Sequence, residues 1–420
     1  MYFVEIGDAM GLCIHMFSAG GGDCFLIDIH GQYILIDGGY YGTFHTILST
    51  QLLQIPRIKL AIITHIDRDH IEGMIELFKY NGHANNPAFV PIDEVWHNSY
   101  HHLPKQIVTR ELSREDREIL LGYISSLPSN DRIINSSISG TQGMLLSSYI
   151  MMNGYSWNTA TNGAAISKEN LSSFHLSSDI TITLLAPTHK ELSKLAKTWE
   201  NELRRKKWSF RLTGDVLFND AMEAFLQSNS TYSDIHNVEI CGKTEKSIQE
   251  LLKISSLPDN SPTNLSSISF LLQAQGKTLL FLADAAEDQI ISSMDQMSLN
   301  YFDVIKVSHH GSLKNANKLF DYIDSEYFLI STDGMKHQHP DFATIAKIIS
   351  RPCETTRKLI FNYQNEAYHF FHDTSLMKQY NYSVQKDGVV KHRRLLLPNL
   401  RTIRMTPWHY MGALTGISKR

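Results

Sequence analysis

Five apolar runs in this chain each lead into an aspartate or a histidine. "ILID" ends on Asp37, "IKLAIIT" runs into His65, "LLFLAD" ends on Asp284, and "VIKVSHH" ends on His309 and His310. "EYFLIST" is followed by "KHQHPD", which carries His337 and His339. Short apolar runs bounded by glycine and polar residues read as buried strands. Loops at strand ends are where sheet proteins assemble their sites. Strands laid side by side would bring these groups together, and that convergence constrains the fold more than any composition does.

The densest of the five is "THIDRDH", residues 64–70, with His65, Asp67, Asp69 and His70. Positions i and i+2 can address one cation, and positions i+4 and i+5, after the chain bends, a second. Two carboxylates and two imidazoles on one loop repel or stay poorly solvated unless a cation joins them. A solvated polar turn is the plain alternative for this loop alone, and the other four strand ends argue against it. Asp37, followed by two glycines, is placed to support the loop from behind rather than to bind a cation itself.

The 420 residues suit two or three ordinary domains or one large domain with insertions. Hydrophobic residues make up 42% and charged residues 20%, which supports a true core. A net charge of −4 argues against a chain coated in positive charge for DNA, though not against a local basic patch. Cys13, Cys24, Cys241 and Cys353 show no paired spacing, so neither a disulfide framework nor a cysteine zinc site is expected. The first residues lack a basic and apolar leader pattern, and no apolar run reaches the roughly 18 residues of a membrane helix. A cytoplasmic location without membrane contact is expected.

Along the chain, "LCIHMF", "CFLIDI" and "QYILID" read as antiparallel strands, and "HIEGMIELFKY" as a helix with Ile71, Met74, Ile75 and Phe78 at helical spacing. "IDEVWHNS" and "DITITLLAP" read as strands and "SSISFLLQAQGKTLLFLAD" as a hairpin. "ELSREDREILLGYISSL" reads as an amphipathic helix, "SNDRIINSSISGTQG" as loop, "KELSKLAKTWENELRRKKW" as a charged helix, and Pro340 as a first-turn proline of a helix over "HPDFATIAKII". Strands with interleaved helices make an α/β architecture. The expected layout is one domain over 1–375, with insertions at about 111–173 and 190–260 that cover the site, and a C-terminal extension over 376–420.

These motifs resemble the metallo-β-lactamase superfamily, whose hallmark is His-x-His-x-Asp-His. The chain has His65-Ile66-Asp67-Arg68-Asp69-His70. The order of Asp37, the 65–70 loop, Asp284, "HHGS" and a late "HP" is similar to the β-lactamase-like domain of ComEC-type DNA-uptake proteins and related stand-alone hydrolases. The resemblance covers roughly 13–110, 174–188 and 262–375. It implies an αββα sandwich with inserted segments and two divalent metal ions, Zn²⁺ or Mn²⁺. By the same resemblance His65 and Asp67 hold the first ion, Asp69, His70 and His339 the second, and Asp284 bridges them. A metal-bound hydroxide is the implied nucleophile, and His309 or His310 contacts a substrate oxyanion or protonates the leaving group. The chain departs from the family at Asp67, where a histidine is usual, which favours Mn²⁺ more than three histidines would. It departs again at "NLSSISFLL", where Asn264 and serines stand instead of a histidine ligand.

The resemblance implies a metal-dependent hydrolase, with a phosphodiesterase or nuclease acting on an anionic phosphodiester or nucleic acid as first choice. Hydrolysis of an ester, thioester or amide by the same site is the second reading. A weakly catalytic subunit of a multi-protein bacterial defence-type system, with a protein partner or a second copy, is the third. Smaller features carry less. "LTGDVLF" offers Asp215 as a rival bridging aspartate, but no apolar strand precedes it. His97, His101 and His102 read as loop histidines near the site edge. "LRRKKW" (203–208, with Trp208) and "KHRR" (391–394) read as solvated basic runs or as phosphate contacts. "SAGGGD" is not a phosphate loop, and Gly20–Gly22 let the backbone pass close to the metal site.

Overall fold

The computed structural model describes residues 3–5, 11–104, 139–205 and 247–386. The apolar runs form two sheets. The first carries β1 (Phe3–Glu5), β2 (Leu12–Met16), β3 (Phe25–Ile29), β4 (Gln32–Ile36), β5 (Ile58–Ile62) and β6 (Val95–Trp96) in sequential order. It is antiparallel through β4, then parallel across β4, β5 and β6. The second carries β7 (Ser173–Ser177), β8 (Ile180–Ala186), β9 (Ser269–Ala274), β10 (Lys277–Phe281), β11 (Tyr301–Lys306), β12 (Asp324–Ile330), β13 (Arg357–Phe361) and β14 (Tyr382–Lys386). It is antiparallel from β7 to β10 and parallel from β10 to β14.

The β9–β10 hairpin closes on Gln275 and Gly276, with φ of 53° and 71°. Two positive φ values in a two-residue loop match the strand twist, and glycine at the second position relieves half the strain.

Alternation decides which face each residue covers. Ile14, Ile27, Ile34, Ile36 and Ile62 from the first sheet share a core with Ile182, Phe270, Leu272, Phe281 and Val304 from the second. Phe25 and Phe281 meet across it edge to face, with ring centroids 5.8 Å apart. Outside the first sheet lie α1 (Arg68–Asn81), α2 (Ser139–Met152) and α3 (His189–Arg205), which supply Met74, Phe78, Leu146, Ile150 and Leu192 to a second core. Outside the second sheet lie α4 (Glu287–Met297) and α5 (Phe342–Ser350), with Ile290, Met294, Ile345 and Ile349 in a third core. The layers run helix, sheet, sheet, helix, which is the expected αββα sandwich.

Local details differ from the sequence reading where packing or capping competes. The helix expected from His70 begins at Arg68, because Asp67 is its extended N-cap residue. Residues 139–143, expected as loop, belong to α2; Leu146 and Ile150 bury against α1, and that burial overrides the weak propensity of Ser and Gly. The strand expected over "IDEVWHNS" shrinks to Val95–Trp96. Pro340 precedes the helix rather than starting it, since Asp341 is the N-cap of α5 and its carboxylate accepts from the Leu313 N–H at 2.6 Å. Residues 139–173, expected within an insertion, place Tyr155 and Ala165 in the same core as α1. The helix expected over 111–127 lies outside the described residues. No helix among the described residues is long and apolar enough to cross a membrane. Cys13, Cys24 and Cys353 form no disulfide, and Cys241 lies outside the described residues.

Candidate metal centre

The loop after β5 is held before it reaches its first histidine. The Thr64 N–H and hydroxyl both donate to Asp37, at 2.8 and 2.7 Å. Asp37 is buried at the end of β4 with φ of 55°. Gly38 then receives α1 closely: a Cβ on Gly73 would stand 1.9 Å from the Gly38 carbonyl oxygen. Asp67 occupies the N-cap position, yet its side chain caps nothing. Aspartate is a favoured cap, so a carboxylate withheld from that role signals another use. Its Oδ2 lies 3.7 Å from His65 Nε2.

From the other sheet, Asp284 sits just past the end of β10, and His309 and His310 just past β11. Both histidines are left-handed, with φ of 46° and 54°. That conformation costs on the order of 1–2 kcal/mol per residue, and strain of this kind collects at functional sites. Here it accompanies two rings that converge on one carboxylate. Asp284 lies 3.8 Å from His65 Nε2, 3.6 Å from His70 Nε2, 3.6 Å from His309 Nε2 and 3.9 Å from His310 Nε2. His310 Nε2 is also 3.4 Å from Asp69 Oδ2.

These separations are too long for hydrogen bonds. They suit the edges of a ligand polyhedron, since two donors about 2.1 Å from a tetrahedral ion stand about 3.4 Å apart. Nε2 of His65, His70 and His310 and Oδ1 of Asp284 are buried without a hydrogen-bond partner. Their opposite ring nitrogens are engaged: His65 Nδ1 with the Thr64 hydroxyl at 3.1 Å, His70 Nδ1 with Asp37 at 2.8 Å, and His310 Nδ1 with the Ser331 carbonyl at 2.9 Å. A ring that donates from Nδ1 keeps a lone pair on Nε2, the protonation state a metal ligand needs. Buried polar atoms left without partners are costly, and divalent cations held among them would satisfy these atoms. The donor set therefore fits divalent metal.

Two overlapping groups bring ligand atoms within 4.8 Å of one another: His65 with His70 and Asp284, and Asp69 with His70 and His310. In a third, Asp23 with Asp37 and His70, Asp37 is engaged by Thr64 and the His70 ring and Asp23 Oδ2 pairs with Lys306, while Asp23 Oδ1 has no hydrogen-bond partner. His339 joins none of these groups. Its ring lies 5.7 Å from that of His309, and its Nδ1 is 3.5 Å from Asp341.

The electrostatics agree with the geometry. Burial disfavours a charged ring at His70, yet Asp284 and Asp37 outweigh it and hold the pKa well above the usual value. Burial likewise opposes charge on His310, and Asp23 and Asp284 raise it to about 10. For Asp284, burial is outweighed by His309, His70 and His310, which hold the carboxyl well below its usual range. A pocket that draws protons this strongly onto imidazole is a pocket of negative potential, and it draws cations for the same reason.

Several contributors escaped the sequence reading. Asp23 follows the glycines of the β2–β3 turn and faces His310 Nδ1 at 3.4 Å. Asp259, inside the expected insertion, stands 3.4 Å from His309 Nδ1, and Asn315 is 2.9 Å from the same atom. Lys306 is a buried lysine within an apolar strand, and that misfit was the available signal. The glycine reading is met at Gly22, where a Cβ would stand 2.0 Å from the Asp69 carbonyl oxygen. His97 is fully buried with both ring nitrogens unpartnered, and burial lowers its pKa to about 3. His101 and His102 pack against Trp157, at 4.8 and 4.7 Å between ring centroids. Trp208, Asp215 and the 391–394 run lie outside the described residues.

No protein-family model matches the chain, and no curated protein matches it. Among solved structures, the 1.98 Å crystal structure of Zn²⁺-bound PqqB from Methylobacterium extorquens is similar at 11% identity. That match covers 88% of this chain and 86% of that one, with a TM-score of 0.33. The chain's own geometry carries the conclusion: an αββα sandwich whose strand ends gather histidine and aspartate groups that fit divalent metal.

Proposed function

We propose that the protein is a metal-dependent hydrolase that cleaves phosphodiesters, with a nucleic acid or nucleotide as its substrate class. The observation that carries the hydrolase reading is the set of buried, partnerless ligand atoms on His65, His70, His310 and Asp284. In this reading His65 and Asp67 hold one divalent ion, Zn²⁺ or Mn²⁺. Asp69, His70 and His310 hold a second, and Asp284 lies between them. His310 takes the place expected for His339, which lies beside His309 instead. When bound, the ions supply Lewis acidity and an activated water.

The chain's own residues do the rest. Asp37 fixes the His70 tautomer, and Thr64 links Asp37 to His65. Asn315 and Asp259 hold His309 by its Nδ1. His309 is the one of the two adjacent histidines with solvent access, at 23% of its side chain against 3% for His310. It is therefore the residue placed to meet a substrate oxygen. The phosphodiester is favoured by the resemblance of the strand-end motifs, "HHGS" included. An anionic substrate fits a carboxylate-lined site only after cations reverse its potential.

The test is turnover of bis-p-nitrophenyl phosphate and single-stranded DNA, set beside p-nitrophenyl acetate, with added Mn²⁺ or Zn²⁺. Phosphodiester cleavage that disappears in Asp69→Ala/His70→Ala supports the reading. Ester cleavage alone moves the site to carboxylic substrates. Metal uptake without either points to a weakly catalytic subunit.

A further inference from the structure

Resting on the metal-centre reading above, we propose that the buried Asp23–Lys306 pair is a positioning device. It sets the register between the two sheets so that ligands from both can share the second cation.

That site is divided between the sheets. Asp69 and His70 follow β5 of the first sheet, while Asp284 and His310 follow β10 and β11 of the second. A cation bound by all four needs the sheet edges aligned to a few tenths of an ångström, and apolar packing alone is non-directional. The structure places a lysine–carboxylate contact at this junction. Lys306 ends β11, two residues beyond the core residue Val304, and its ammonium pairs with the Asp23 carboxylate on the β2–β3 turn of the other sheet.

Both partners are nearly inaccessible, at 1% and 2% of their surface. A buried ion pair is weak evidence for stability, because desolvation offsets most of its attraction. Its other contacts point to a different use. The Asp23 N–H donates to the Asp69 carbonyl at 3.1 Å, and the Asp23 carboxylate faces His310 Nδ1 at 3.4 Å. Beside it, the Ser331 hydroxyl donates to the Gly22 carbonyl at 2.8 Å, while the Ser331 carbonyl accepts from His310. One residue thus touches ligand segments from both sheets, and Lys306 holds that residue to the second. Among the described residues, the first-ion residues His65 and Asp67 make no hydrogen bond or ion pair with Asp23, and they serve as an internal reference.

The test is a Co²⁺ titration of the full-length, chelator-stripped protein, followed by visible absorption and by native mass spectrometry. Wild type is compared with Asp23→Asn and with Asp23→Asn/Lys306→Met. The double variant removes both charges together, which avoids a buried unpaired ion and keeps the comparison open if the single variant misfolds. Circular dichroism checks the fold. The expected result is a first Co²⁺ bound as in wild type, a second weakened about 10–100-fold, and an altered ligand-field band for the second equivalent. Folded variants that bind both ions with wild-type affinity and spectrum would overturn the proposal, even if their stability fell. A wild type that binds no Co²⁺ would instead remove the metal-centre reading on which it stands.

Discussion

Replacing Asp37 by asparagine should damage the metal centre without touching a metal ligand. The Asp37 carboxylate accepts three hydrogen bonds: Oδ1 from the Thr64 N–H at 2.8 Å, and Oδ2 from the Thr64 hydroxyl at 2.7 Å and His70 Nδ1 at 2.8 Å. Asparagine has the same shape and tolerates the positive φ, and it can keep the bond from the Thr64 N–H. Its amide group must then face His70 Nδ1 as a donor. The neutral ring can accept there only by carrying its proton on Nε2, the atom that would bind metal. Loss of a carboxylate behind a metal-bound histidine costs about 10–100-fold in affinity, or about 1.4–2.8 kcal/mol. Two charge-assisted bonds weakened to neutral ones should cost the metal-free fold about 2–4 kcal/mol. Competition with a chromophoric chelator measures the first quantity and urea unfolding of the stripped protein the second. A variant that loses stability yet binds both ions as tightly as wild type would refute the tautomer argument.

Further outcomes follow from the same geometry. His310→Ala should bind one ion fewer by elemental analysis, whereas His339→Ala should keep the wild-type count; the reverse pattern would restore His339 as the ligand. In the metal-free protein, His310 has a folded pKa of about 10 against about 6.5 when unfolded, so its contribution is fully present below pH 6.5 and lost as pH rises through 10. Melting curves of the stripped protein should therefore fall over that window, and the fall should flatten in His310→Gln. Gly22→Ala should destabilise the fold by about 1–3 kcal/mol and weaken metal binding, because its methyl would stand 2.0 Å from the Asp69 carbonyl oxygen. An alanine there that leaves metal affinity intact would show that the turn can move independently of the metal loop.

The layered fold was legible because its strands are apolar runs of the right length and its site residues sit at their ends. The 65–70 loop, Asp284 and His309–His310 announce themselves as polar groups placed where a buried strand stops. What stayed hidden depends on contacts distant in sequence. Asp23 reads as the last residue of a glycine turn until the second sheet brings Lys306 and His310 to it. Asp259 reads as part of a polar insertion until its segment folds back to His309. That His310 stands within reach of Asp69, while His339 lies beside His309, depends on two successive left-handed residues, and "HHG" alone does not announce that geometry. Local misreadings had a common cause as well. Tertiary packing made residues 139–143 helical, and Asp341 rather than Pro340 set where α5 begins, because its carboxylate reaches Leu313.

Anomalous diffraction from crystals grown with Zn²⁺ or Mn²⁺ and measured at the metal edge locates the ions directly. The expected map has two peaks about 3.5–4 Å apart, one beside His65 and Asp67, the other among Asp69, His70 and His310, with Asp284 between them. Maps without anomalous density at these residues, from crystals whose solution holds the ion in excess, would contradict the metal centre and the hydrolase reading built on it.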